Sequence, residues 1–113
     1  MIRQGDVLLV PRLAPKGVEI PPTSGGHVLM SGQTGHSHTL MGDVRLYESA
    51  ATRESDPAWG VRIADVTGLC VLKHLGIDGT ETGEHGAHEV PVGTYLVVTQ
   101  SQYQRGAVRN VED

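Results

Sequence analysis

A chain of 113 residues, 38% of them hydrophobic, can bury one modest core but not two, so a single domain over residues 1–113 is expected. Its net charge of −4 and pI near 5.8 argue against a general binder of phosphate backbones, and no nucleic-acid partner is expected. The single cysteine, Cys70, rules out an intrachain disulfide. No apolar run is long enough to span a bilayer, and Met1 to Asp6 lacks the basic-then-apolar layout of a signal peptide. A cytoplasmic protein with no membrane partner is therefore expected.

Fifteen glycines, 6 prolines and many valines favour short strands joined by tight turns. Val7-Leu8-Leu9-Val10 reads as a buried strand, preceded by Gly5-Asp6 and stopped by Pro11. Val18-Glu19-Ile20, followed by Pro21-Pro22, is at most an edge segment. Thr23 to Gly26 is turn chemistry, His27 to Met30 is the next strand, and Gly32 to Gly35 ends it. His36 to Met41 and Val44 to Glu48 form an expected β-hairpin across Gly42-Asp43, since glycine in the first central position suits a type II′ turn. Ala50 to Ala58 is a polar link.

Trp59, Val61 and Ile63 alternate with Gly60 and Arg62, and Thr67-Gly68 separates them from Leu69 to Leu75 as a second expected hairpin. Cys70, within Leu69-Cys70-Val71-Leu72, reads as a small core residue rather than a nucleophile. Ile77 to His88 has no periodicity and reads as a long loop, a type of segment more often functional than idle. Pro91-Val92-Gly93 turns the chain into Thr94 to Gln100, the strongest strand candidate, and the polar tail from Gln104 forms a last edge strand or frays. The expected fold is all-β: a small single-domain β-barrel or sandwich of about seven short, mainly antiparallel strands.

Six histidines are present, and four of them fall in two groups, Gly35-His36-Ser37-His38 and Glu84-His85-Gly86-Ala87-His88. In a strand the side-chain period of two places His36 and His38 on one face, a compact way to offer two ligands. Neutral imidazole suits zinc, copper, nickel and iron, and three such ligands with an open position make a reactive site. The expected ligands are His36, His38 and His85, with His88, His74, Glu84 and Asp43 in reserve. The competing view makes the first pair polar residues on an exposed strand and His85 and His88 decorations of a solvated loop; His27 and His74 themselves read as structural residues.

Ser37 is no esterase nucleophile: Thr39 stands where the G-x-S-x-G elbow needs its closing glycine, and a large α/β sheet is lacking. Gly79 to Gly83 is acidic and lacks the lysine of a phosphate loop. Nor does that stretch have the alternating Asp/Asn pattern of calcium loops.

His36-Ser37-His38 with Asp43, and Pro91-Val92-Gly93 later, resemble the two motifs of the cupins, metal-binding β-barrels. Asp43 stands where the cupin glutamate is usual, and Leu96 where the second motif places its histidine. A broader resemblance covers Gln4 to Pro11, Gly35 to His38, Glu84-His85 and Pro91 to Tyr95. These stretches are similar to those of small bacterial and phage-borne proteins with the pattern QGDVLLVP, GHxH, EH and PxGxY. The resemblance implies His36, His38 and His85 as a set and carries no substrate.

Two functions follow as expectations. One is a metal-binding β-barrel holding zinc or iron, whose metal-bound water, if catalytic, exchanges protons with Glu84, Glu89 or Tyr103. The other is a non-enzymatic structural or adaptor protein, a homo-oligomer or a subunit of a larger phage or cellular assembly.

Overall fold

The computed structural model describes residues 1–23, 25–31, 35–76 and 86–99. Among these residues eight strands form one antiparallel sheet: β1 (Ile2–Gln4), β2 (Val7–Pro11), β3 (Lys16–Ile20), β4 (His27–Ser31), β5 (Ser37–Ser49), β6 (Arg62–Leu75), β7 (His88–Glu89) and β8 (Gly93–Thr99). The all-β expectation holds. Among the described residues the sheet does not close into a barrel: its order runs β1-β2-β8-β6-β5-β3, with β4 beside β5 and β7 beside β6. The sandwich is the member of the expected pair that fits. No helix among the described residues is long and apolar enough to cross a membrane. The tail from Gln100 onward lies outside the described residues.

The two expected hairpins are not there. Their four arms are two strands of 13 and 14 residues that pair with each other, from Ser37 opposite Leu75 to Glu48 opposite Arg62. Gly42-Asp43 and Thr67-Gly68 are therefore not hairpin turns but the two sides of one bulge. Gly42 faces Cys70 and Val44 faces Val66, so Thr67-Gly68-Leu69 opposes Asp43 alone. Gly42 has φ 118°, and a Cβ there would run into the Leu69 carbonyl oxygen. A Cβ on Gly68 would strike the Asp43 carboxylate. Gly42 is required by close approach of the two backbones, whereas at Gly68 the exposed Asp43 side chain would have to swing aside; either way the glycine leaves the same sequence signal as a turn.

Each half of this ribbon has its own neighbours. Beyond the bulge, β5 pairs with β3 and β6 with β8; before it, β5 pairs with β4 and β6 with β7. The two halves bury one face against each other. Leu40, Cys70 and Leu72 from one half share a core with Val7, Leu9, Leu46, Ala64, Tyr95 and Val97 from the other. A smaller apolar cluster on the opposite face joins Ala58, Ile63 and Leu96. Trp59, expected to open a strand, lies in the turn that precedes β6 and is half exposed.

Two polar side chains tie the halves together. Arg62, at the start of β6, donates to the carbonyls of Val28 and Leu29 on β4. Gln4 reaches from β1 to the carbonyl of Leu72 in β6 at 3.0 Å. β1 itself was not anticipated, because its Ile2-Arg3-Gln4 run is short and only Ile2 is apolar. Gly5, at φ 56°, occupies the first central position of the β1–β2 turn, the position that a type II′ turn reserves for a positive φ.

Candidate metal centre

His38 and His74 are directly opposed in the β5–β6 ladder. Opposed residues hold their Cβ atoms about 4.5–5.5 Å apart. Their rings lie 4.7 Å apart between centroids, tilted by 40°. His36, just before β5, brings its ring edge-on to the same His74, at 5.2 Å and 86°. The same-face expectation for His36 and His38 is thus met through a shared neighbour. His38 and His74 are buried, at 8% and 3% exposure, and His36 is half-buried.

Beneath His38 lies Gln4, only 1% exposed. Its Oε1 is 2.8 Å from His38 Nδ1, while its Nε2 donates to the carbonyls of Leu72 and Gly86. This one carboxamide therefore links β1, β5, β6 and the segment that enters β7. Through Gly86 it fixes the backbone next to the second histidine group. His88, from that group, sits half-buried in β7 opposite Leu72, which on its other side faces Leu40.

His85 and Glu84 lie outside the described residues, as do Tyr103 and the Gly79 to Gly83 stretch. Asp43 is not part of the cluster: it is exposed, at the bulge, five positions along the strand from His38. An odd offset puts it on the other face, and roughly 17 Å separates the two at the usual strand rise. Among the described residues no three His, Cys, Asp or Glu side chains come close enough together to hold a metal ion. His36 and His38 each pack against His74, but the three do not by themselves make a complete ligand set.

His74 is the member that sequence reasoning assigned to structure. A signal for it existed. The inward-facing residues of β6 run Ala64, Val66, Cys70, Leu72, His74 at even numbers, so the alternation carries His74 onto the face that holds the core. Which residue it meets was hidden by the hairpin reading, which paired the His36 strand with Val44 to Glu48.

A separate pocket of about 260 Å³ lies by His27, walled by Pro22, Gly26, Leu40, Gly42 and Val44. His27 is 6% exposed, and among the described residues its Nδ1 has no hydrogen-bond partner. Desolvation pushes its pKa below the ordinary histidine value, against smaller upward pulls from the Val44 backbone and the Glu19 carboxylate. Cys70 is a buried free thiol whose pKa rises to about 11, through desolvation first and the Asp43 charge second. That environment fits a core residue and not a nucleophile.

The chain matches the family model described as a domain of unknown function (DUF8820) over residues 3–100. That span includes Gln4 and all six histidines. No curated protein and no solved structure matches it.

Proposed function

The chain belongs to the DUF8820 family, and we propose that it is a small metal-binding β protein whose site is built from His36, His38 and His85 and takes zinc or iron. The observation that carries this reading is the gathering of His36 and His38 around His74 at the end of the β5–β6 ribbon. Three imidazoles, two of them buried, meet at one place, a grouping that a shared ligand would explain. Borderline divalent metals are the ligands that imidazole nitrogens suit. His85 follows Glu84 and directly precedes Gly86, whose carbonyl is held by Gln4, so the chain reaches His85 from a point tied to the cluster. His74 then packs against the ligand pair or takes a coordination position itself. If the site is catalytic, a metal-bound water is the reactive species, with Glu89 as a candidate proton acceptor. The resemblance to cupins agrees with such chemistry.

Elemental analysis of protein purified without an affinity tag tests the reading. Stoichiometric zinc or iron is expected in the wild type and its loss in a His36→Ala/His38→Ala variant. Wild-type protein that stays metal-free after incubation with zinc and with iron(II) would end it.

A second reading, a structural or adaptor subunit, is favoured by one observation. β3 lies at an edge of the sheet and exposes Val18, and Leu13, Trp59, Leu69 and Val92 are exposed elsewhere. Sedimentation equilibrium tests it: self-association weakened by Val18→Lys supports an assembly role, and a strict monomer at high concentration removes the homo-oligomer.

A further inference from the structure

A histidine can serve a metal only through a nitrogen that carries a lone pair, and in the neutral ring only one nitrogen does. Which one it is depends on the partner of the other. At His38 that partner is Gln4, and the orientation of Gln4 is itself fixed. Its Nε2 sits against two carbonyl oxygens, those of Leu72 and Gly86. An NH2 group has two hydrogens for two such acceptors, whereas an oxygen placed there would oppose two other oxygens with no proton between them. The nitrogen must therefore face the carbonyls, which leaves Oε1 toward His38 Nδ1 at 2.8 Å. An amide oxygen only accepts. Nδ1 must be the protonated nitrogen, and Nε2 carries the lone pair.

We infer that Gln4 is a positioning residue that locks His38 into its Nδ1–H tautomer and so presents Nε2 as the ligand nitrogen. The inference deepens the metal reading and depends on it only for the use made of Nε2. The geometry is that of the outer partners of metal-bound histidines, where a carbonyl or carboxylate oxygen holds the ring nitrogen that does not bind. Burial makes the lock effective: at 1% exposure Gln4 has no water to exchange for these bonds, and His38 at 8% has almost none. The same carboxamide holds Gly86, the residue that follows His85. One side chain thus sets the protonation of one proposed ligand and anchors the backbone next to another.

Imidazole nitrogen NMR of the full chain, uniformly labelled with ¹⁵N and at mildly alkaline pH, tests the assignment. His38 is identified by the signals missing from a His38→Gln variant. In wild-type protein without metal, His38 is expected to show a protonated, pyrrole-type Nδ1 and a pyridine-type Nε2. Added zinc should shift Nε2 most. Gln4→Met, similar in volume and without an acceptor oxygen, should lose this preference and weaken zinc binding about 10- to 100-fold. Gln4→Glu, held protonated by burial against the Leu72 and Gly86 carbonyls, keeps an acceptor oxygen for Nδ1–H and one O–H donor for the carbonyls, and should restore the tautomer.

A purely structural Gln4 predicts the reverse, with both variants perturbed alike and the tautomer unmoved. Wild-type His38 protonated on Nε2 overturns the inference, as does a folded Gln4→Met variant with an unchanged His38 tautomer. Should Gln4→Met fail to fold, the wild-type and Gln4→Glu spectra still decide. The expected tautomer in a protein that binds neither zinc nor iron(II) upholds the role of Gln4 and defeats the metal reading. Zinc binding to a protein whose His38 is protonated on Nε2 does the opposite.

Discussion

Gly42 combines two constraints that a single methyl group tests together. Its φ of 118° lies where side chains are rarely tolerated, and a Cβ would meet the Leu69 carbonyl. Gly42→Ala is expected to cost about 1–3 kcal/mol from backbone strain alone. In a domain of this size, each kcal/mol lowers the melting temperature by roughly 4 °C, measurable by thermal denaturation followed by circular dichroism. His27 gives a pH-dependent counterpart. Its pKa is lower in the folded chain than the ordinary 6.5 of an exposed imidazole, so the unfolded chain binds the extra proton first. The stability that goes with a neutral His27 is fully present above that ordinary value and declines as the pH falls through it toward the folded pKa. Urea midpoints measured between pH 8 and pH 5 should fall on the acid side, and His27→Phe should flatten that part of the slope. Cys70, with its thiol pKa near 11 and its burial, should react with a thiol reagent at mildly alkaline pH only as fast as the chain opens.

At the scale of elements, local chemistry was legible where a strand is short and bounded. Val7 to Pro11, His27 to Ser31 and Gly93 to Thr99 form where apolar runs meet glycine or proline. The edge position of Val18 to Ile20 followed from Pro21-Pro22, and β3 is an edge strand. What failed was the reading of Gly42 and Gly68. A glycine that lets two backbones approach and a glycine that turns a chain look the same in one dimension. Only the facing strand, more than twenty residues away, tells them apart. The same non-local information hid the His38–His74 pair and the task of Gln4, a lone buried amide with no periodic signature. The proposed ligand pair His36 and His38 was legible because period two is a local property. Arg62 is a further element-scale tie, since its guanidinium donates to two carbonyls of β4. Hydrogen bonds to charged groups contribute about 1.5–3 kcal/mol each. Arg62→Met should lower the urea midpoint accordingly, with β4 amides gaining hydrogen exchange before those of β8.

For the molecule as a whole, the long β5–β6 ribbon is the frame, and its flanking strands fold the two halves onto one core. If the proposed centre binds zinc in the native state alone, zinc at a hundred times its dissociation constant adds about 2.7 kcal/mol to stability. The His36→Ala/His38→Ala variant should show no such rise in a thermal melt. The bulge has a consequence for how this chain can change in length. Three residues against one is a surplus of two, an even number, so inward and outward keep their sense across the interruption. Ala64 and Val66 before it and Cys70, Leu72 and His74 after it all point to the same side. Deleting Leu69 alone makes the surplus odd, which would send Cys70 and Leu72 to solvent and carry His74 away from His38. Deleting Gly68 and Leu69 together removes the bulge but preserves that reading frame of faces. The shorter chain should fold more readily than the one that lost a single residue, a reversal of the usual expectation that smaller deletions do less harm.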